Sequence, residues 1–314
     1  MKLKYKHQRF QEDAARAVTD CFLGQPHYDG TSNFLVDQGV VNGKQDNNLF
    51  HVEGFANAPL EPDVPLRDNI RRVQTSFGLK PIDQLEGDGR TLTIEMETGT
   101  GKTFTYIKTM FELNKLYGWT KFIVVVPSIA IREGVLSSFD SMSEYFAQEY
   151  GKRIQYFVYN SKQLSKIDSF AADAGIHVMI INTQAFNTSL NEDKNKEGRA
   201  GDAAARIIFS RRDEFRSRRP IDILAATHPI MIIDEPQSVL GANKTNQTRK
   251  GLKLFNSLFK LLYSATHRKD DIANMVYRLD AMDAYNKHLV KKIEVVGVEQ
   301  KGTTATNGYV YLEQ

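Results

Sequence analysis

Apolar residues recur in two different registers along the chain. Between Phe10 and Phe22 they fall at helical spacing, at Ala14, Ala15, Val18 and Phe22, until Gly24 and Pro26 end the pattern, which predicts one amphipathic helix. Thr91 to Glu95 reads instead as a strand, followed by a helical stretch carrying Tyr106, Ile107, Met110, Leu113 and Leu116 that Gly118 closes. Three unbroken apolar runs come next, at Phe122–Val126, Val178–Ile181 and Ile230–Ile233, with Pro127 stopping the first and Ile131 to Tyr150 reading as a helix. A last short run, Phe259 to Tyr263, precedes Ser264-Ala265-Thr266. Strands that are apolar at every position must be covered on both faces, so their alternation with helices predicts an α/β fold: a mostly parallel sheet covered by helices on both faces.

Two stretches break this rhythm. Asp29 to Asp88 is rich in Gly, Asn, Asp and Pro and reads as an insertion of loops and short strands, with a helix around Arg67 to Phe77. Asn191 to Asp202 is polar and charged, a surface loop, and Arg206 to Arg219 reads as an arginine-rich helix. The expected organisation is one lobe over 1–270, with an insertion at about 25–90 and an excursion at about 190–225, followed by a linker or the start of a further lobe over 271–314.

With 314 residues and 41% hydrophobic content the chain can fill a substantial core. Its 41 Lys and Arg barely exceed its 38 Asp and Glu, so attraction to nucleic acid must come from a local patch rather than a global field. Arg206, Arg211, Arg212, Arg216, Arg218 and Arg219 are the candidates for such a patch, the alternative being a solvated helix face. The single cysteine, Cys21, cannot close an internal disulfide, and the seven histidines show no zinc-site spacing, which suits a reducing compartment. The start of the chain is basic but leads into Gln11, Glu12 and Asp13, unlike a secretory signal, and no apolar run approaches the roughly 20 residues that span a bilayer. A soluble, cytoplasmic protein with no membrane partner is expected.

The candidate chemistry lies at the end of the first core strand. Thr98-Gly99-Thr100-Gly101-Lys102-Thr103 sits between a strand and a helix, the setting a phosphate-binding loop requires. Gly99 and Gly101 permit backbone angles that let successive N–H groups converge on phosphate oxygens, and the following helix aims its positive end at the same place. Lys102 would add a point charge for the β- and γ-phosphates, and the Thr103 hydroxyl a ligand for Mg²⁺. The strict pattern expects a small residue where Met96 stands, which affects the detailed shape of the loop. Such a loop needs a carboxylate at the end of a neighbouring buried strand, and Ile230-Met231-Ile232-Ile233-Asp234-Glu235-Pro236 supplies two. Asp234 would hold Mg²⁺ and Glu235 would orient and activate the attacking water. Adjacent strand residues face opposite ways, so both reach one site only where the strand ends, and Pro236 marks that break. The alternative is a helix start with Asp234 as N-cap.

Together these residues resemble the first RecA-like lobe of superfamily 2 helicases, a P-loop NTPase lobe. The resemblance implies that Gln11, in Phe10-Gln11-Glu12-Asp13, reads the adenine edge and selects ATP; an exposed helix glutamine is the alternative. It makes Pro127 and Ser128, and Thr183 and Gln184, contacts for a nucleic-acid backbone, although polar loops after buried strands are commonplace. It makes Ser264 and Thr266 a link between the acidic motif and the nucleic acid. A narrower match runs through Met96–Thr103, Val125–Val135, Ile233–Gln237, Tyr263–Arg268, Tyr277–Ala281 and Leu289–Glu294, which are similar to the Res subunit of type III restriction-modification systems. That resemblance implies ATP and Mg²⁺ as cofactors, double-stranded DNA and a Mod methyltransferase subunit as partners, and ATP-driven movement or switching along DNA before cleavage.

Other readings remain open. Another superfamily 2 DNA or RNA helicase-like ATPase is one, although Pro236-Gln237 departs from the Ala-Asp and Ala-His endings of the RNA helicases. A P-loop GTPase fits less well, since Asn243-Lys244-Thr245-Asn246 lacks the aspartate that reads guanine. A non-catalytic module that docks DNA or a subunit is the third. After Thr266 only 48 residues follow (314 − 266), against on the order of 100 to 150 for an independent second lobe. The helicase resemblance puts transition-state arginines on that lobe, so this chain alone is expected to bind ATP, hydrolyse it feebly and leave DNA uncut.

Overall fold

The apolar runs become strands because only a covered sheet can take them from water while pairing every backbone group. The computed structural model describes residues 5–28, 53–187, 207–211, 218–241 and 247–291, and within 29–52 the backbone of three short strands, Phe34–Val36 (β1), Val40–Val41 (β2) and Lys44–Gln45 (β3). Glu53–Phe55 (β4) pairs antiparallel with β1. The remaining strands are Thr91–Met96 (β5), Lys121–Val126 (β6), Gln155–Val158 (β7), His177–Asn182 (β8), Ile230–Asp234 (β9), Lys260–Ser264 (β10) and Met275–Leu279 (β11). They form one sheet in the order β11-β5-β10-β9-β6-β8-β7, with every neighbouring pair parallel.

Every residue of β6, β8 and β9 is buried, and alternate side chains divide between two cores. Phe122, Val124 and Val126 of β6 join the first core; Ile123 and Val125 join the second. The first is closed by helices Arg9–Asp20 (α1), Lys102–Tyr117 (α3) and Ile129–Tyr150 (α4), through residues such as Val18, Ile107 and Phe139. The second is closed by Ser165–Ala172 (α5) and the helices Pro220–Ala226 and Gln247–Leu254, through Phe170, Ile221 and Leu252. The RecA-like α/β lobe expected from the sequence is therefore present, with helices on both faces.

The structure corrects two boundaries. The lobe does not end at 270: β11 is an edge strand of its sheet, hydrogen-bonded to β5, with Tyr277 and Leu279 in the first core. Nor does the insertion reach 90, because the helix Leu66–Ser76 (α2) buries Ile70 and Val73 in that same core. Its Gln74 donates to the Met275 carbonyl (2.9 Å) and accepts from the Ile82 amide (2.8 Å). Asn57, 1% exposed, uses all four of its amide hydrogen-bonding positions, donating to the carbonyls of Lys121 and His228 and accepting from the amides of Thr120 and Lys121. It fastens the start of β6 to the residues just before β9.

The 191–202 loop, Arg206, Arg212, Arg216 and residues 243–246 lie outside the described residues. Arg218 and Arg219 form ion pairs within the chain, with Asp168 at 2.8 Å and Asp222 at 2.7 Å. Among the described residues no helix is long and apolar enough to cross a membrane.

Candidate nucleotide site

Because the strands are parallel, their C-terminal ends share one edge, and there the chain after β5 makes its turn. Met96 ends β5 fully buried in the first core, so the residue that departs from the strict pattern serves packing and the loop begins after it. Glu97 holds the loop's base: its carboxylate accepts from the Thr98 amide (2.7 Å) and its carbonyl from the Thr100 hydroxyl (2.6 Å). Gly99 and Gly101 then adopt φ of 81° and 87°, left-handed values that a side chain resists. At Gly101 an added Cβ would also run into the side-chain amide nitrogen of Gln11. That nitrogen donates to the Thr100 carbonyl (2.9 Å), so α1 delivers Gln11 to the loop itself.

Lys102 and Thr103 open α3, whose N-terminus has no side-chain cap. Its first amides are thus available to an anion, and the helix dipole favours one.

Two strands away, Asp234 is the last residue of β9 and 6% exposed. Glu235 takes φ of 52° and donates its amide to the Tyr263 carbonyl (3.0 Å), ending the strand. The left-handed turn brings Glu235 Oε1 to 3.2 Å from Lys102 Nζ. Its Oε2 accepts from Gln237 Nε2 and lies within reach of the Ser264 hydroxyl, each at 2.7 Å. Ser264 Oγ is also 2.9 Å from Gln237 Oε1 and from the Thr266 carbonyl; its one proton serves one of these acceptors at a time, while it accepts from the Thr266 amide (3.2 Å).

The adjacent carboxyls are electrostatically split. Burial, with the neighbouring Glu235 charge, pushes Asp234 up to about 6, and Lys102 only partly offsets this. Burial acts on Glu235 too, but the bonds from Ser264 and Gln237 and the Lys102 ammonium outweigh it and hold its carboxyl below the usual range. Asp234 Oδ1 meets no hydrogen-bond partner among the described residues. A buried carboxylate oxygen without a donor suits a cation, and a single protein carboxylate suits a hard ion that keeps most of its waters, such as Mg²⁺.

Lys102, Asp234, Glu235, Ser264 and Thr266 thus gather at one place, with Gln11 joined to them through Thr100. Pro127, Ser128, Thr183 and Gln184 lie at the ends of β6 and β8. Thr183 Oγ1 donates to the Pro127 carbonyl (3.2 Å), Ser128 Oγ accepts from the Ile131 amide (3.3 Å) as the cap of α4, and Gln184 Oε1 accepts from Asn182 (3.2 Å). Three residues to which the sequence assigns no role at the site are drawn in by the structure. Gln237 fixes Glu235; its signal was its place in the first turn after a chain reversal. Tyr106 puts a buried phenol within the field of Asp234. His267 sets Nε2 at 3.1 Å from the Ile94 carbonyl, and burial lowers its pKa.

Residues 67–269 match the family model described as type III restriction enzyme, res subunit. The chain belongs to that family. The Res subunit of the Escherichia coli type III restriction-modification enzyme EcoP15I is 33% identical over 244 residues, 72% of this chain and 23% of that protein. The EcoPI Res subunit of Escherichia phage P1 is 32% identical over 238 residues, again 72% and 23%. This Res-family chain therefore spans about a quarter of the length of the curated relatives it matches. Among solved structures, the Sulfolobus solfataricus SWI2/SNF2 ATPase core in complex with dsDNA is 14% identical, covering 68% of this chain and 33% of that one with a TM-score of 0.35. At that distance the fold rests on the strand order itself.

Proposed function

We propose that this chain is the ATP-binding motor lobe of a type III restriction enzyme. The observation that carries the proposal is the convergence of the Lys102 ammonium with the carboxyls of Asp234 and Glu235 at the tips of β5 and β9. The loop amides after Thr98 and the N-terminal turn of α3 bind the triphosphate, and Gln11 selects the adenine edge. Lys102 exchanges Glu235 for phosphate oxygens when ATP arrives, which frees Glu235 Oε1. Held at its other oxygen by Ser264 and Gln237, Glu235 then accepts a proton from the attacking water as the bond from the γ-phosphorus to ADP breaks. Mg²⁺, held by Thr103 and Asp234, supplies positive charge against the phosphate oxygens when bound. Thr266 and Ser264 pass the state of Glu235 to the loops at Pro127, Ser128, Thr183 and Gln184, which grip the DNA backbone without reading sequence.

In the whole protein this motor drives movement or switching along double-stranded DNA before endonucleolytic cleavage, in a cytoplasmic complex with a Mod methyltransferase subunit. This chain by itself binds ATP and turns it over feebly. The test is equilibrium binding of a fluorescent ATP analogue with Mg²⁺ to wild type and to Lys102→Ala. Binding by wild type and its loss by at least about tenfold in the variant is expected, since a charge-assisted phosphate contact contributes about 1.5–3 kcal/mol. Absence of binding by either protein would leave a docking module as the reading.

A further inference from the structure

β7 is the outermost strand of the sheet at the end away from β5, and between the ends of β7 and β8 and the first turns of α4 lies a groove of about 860 Å³. None of its lining residues belongs to the phosphate loop or to Asp234–Gln237. Three kinds of chemistry meet in it. Ile129, 51% exposed, and the ring of Tyr156 give apolar surface; Asn160 and Gln184 give carboxamides; Arg132 and Lys166 give positive charge. No carboxylate is among the described residues that line it. Two acids touch its rim indirectly. Asp140 accepts from the Tyr156 hydroxyl (2.6 Å) and fixes that ring, while Glu133 pairs with Arg132 (2.8 Å) in an exposed contact that a phosphate can replace at little cost. Arg132 also reaches toward Asn182 Oδ1 at 3.5 Å, which keeps its guanidinium turned to the groove side of β8.

We infer that this groove seats one nucleotide drawn out of the stack of a DNA duplex. Its phosphates lie on Arg132 and Lys166, its base packs on Ile129 and Tyr156, and the carboxamide of Asn160 bonds to the base edge, while Gln184 stays on the backbone of the DNA strand. A free anion would use only the cations, and an apolar ligand would make no use of them; a base joined to a phosphate uses all three. A paired base offers only its groove edges and keeps its faces stacked, so its apolar surface cannot reach Ile129. The inference rests on the proposal that this chain engages DNA and adds that it holds part of one strand unstacked.

The test measures affinity of the full chain, by fluorescence anisotropy, for a fully paired duplex and for the same duplex with one unpaired nucleotide. The unpaired nucleotide has no base pair to break and so costs less to draw out of the stack, and wild type is expected to favour it about tenfold. Lys166→Glu, at an exposed position on α5, and Arg132→Ala should each reduce that preference to less than about twofold and lower the salt slope by about one, with ATP-analogue binding unchanged. Should Arg132→Ala misfold, Lys166→Glu carries the test alone. Equal binding of both duplexes by wild type, or a preference that survives in the variants, overturns the groove assignment and leaves the DNA reading intact. No binding of any DNA overturns both. Polyglutamate competing as well as a single-stranded oligonucleotide of equal charge would make the groove a dock for an acidic peptide and overturn the assignment.

Discussion

Asp234→Asn is expected to stabilise the unliganded chain relative to wild type above about pH 6 and to lose that advantage toward about pH 4. The carboxyl is 6% exposed, its Oδ1 lacks a partner among the described residues, and its pKa stands at about 6 rather than 3.8. An acid with the higher pKa in the folded chain binds its proton more tightly there. Folding therefore carries no penalty while both states are protonated; the penalty builds as pH rises from about 4 to about 6 and is complete beyond. The difference, 6 − 3.8 = 2.2, at about 1.36 kcal/mol per pH unit, comes to about 3 kcal/mol. Glu235 has the opposite sign: its lowered pKa stabilises above its unfolded value of 4.5 and the benefit is lost as pH falls. It is present in both proteins and largely cancels in their difference. Trp119, the single tryptophan and 2% exposed, reports unfolding by its fluorescence. In urea titrations the stability difference between the two proteins should therefore grow by about 2 kcal/mol from about pH 4.5 to 8, reaching about 3 kcal/mol with the variant ahead at the alkaline end. A difference flat to within about 0.5 kcal/mol across that range would refute the claim that the fold holds Asp234 ionised at a cost.

Three further outcomes are expected. Asn57→Ala should cost about 3 kcal/mol or more in a urea titration, because it strands the backbone groups of Thr120, Lys121 and His228 that the side chain serves; a loss below about 1 kcal/mol would mean water replaces it. Ser264→Ala removes a hydrogen bond to Glu235, so the Glu235 pKa rises: single-turnover hydrolysis should fall about tenfold and its acid limb should move to higher pH, with ATP affinity within about threefold, whereas an unmoved limb would contradict the anchoring role. Gly118→Ala, at φ of 77° with the new Cβ directed into the Tyr28 carbonyl oxygen, should lower stability by at least about 2 kcal/mol, read as a fall in thermal midpoint of several degrees.

β6, β8 and β9 were legible because each carries an unbroken apolar run, Phe122–Val126, Val178–Ile181 and Ile230–Ile233, as a strand covered on both faces requires. β7 and β11 were not. Gln155-Tyr156-Phe157-Val158 is short and half exposed, and β11 carries Arg278, which bonds Glu95 on β5 at 2.8 Å and so disguises an edge strand as a charged loop. The same disguise covers the stretch from Asn57 to Gln74. Its buried residues include Asn57, Asn69 and Gln74, whose amides answer backbone groups, and no periodicity of hydrophobic residues announces that. At the site, Lys102, Asp234 and Glu235 could be picked out because phosphate chemistry demands a cation and carboxylates at strand ends. Their mutual arrangement could not. Sequence reasoning sends Lys102 to phosphate, while the unliganded fold pairs it with Glu235, since opposite charges in a half-buried pocket seek each other first.

The position of β5 has a consequence for how the chain is made. The strand that carries the phosphate loop lies between β10 and β11, so both of its neighbours are translated long after it. From Met96 to Leu279 there are 183 residues (279 − 96), which a ribosome working at about 5–20 residues per second adds in roughly 10 to 40 s. For most of that interval, until β10 is made, β5 has neither edge partner, and a nascent chain halted before Lys260 should retain no ATP while presenting both bare edges of β5 to chaperones.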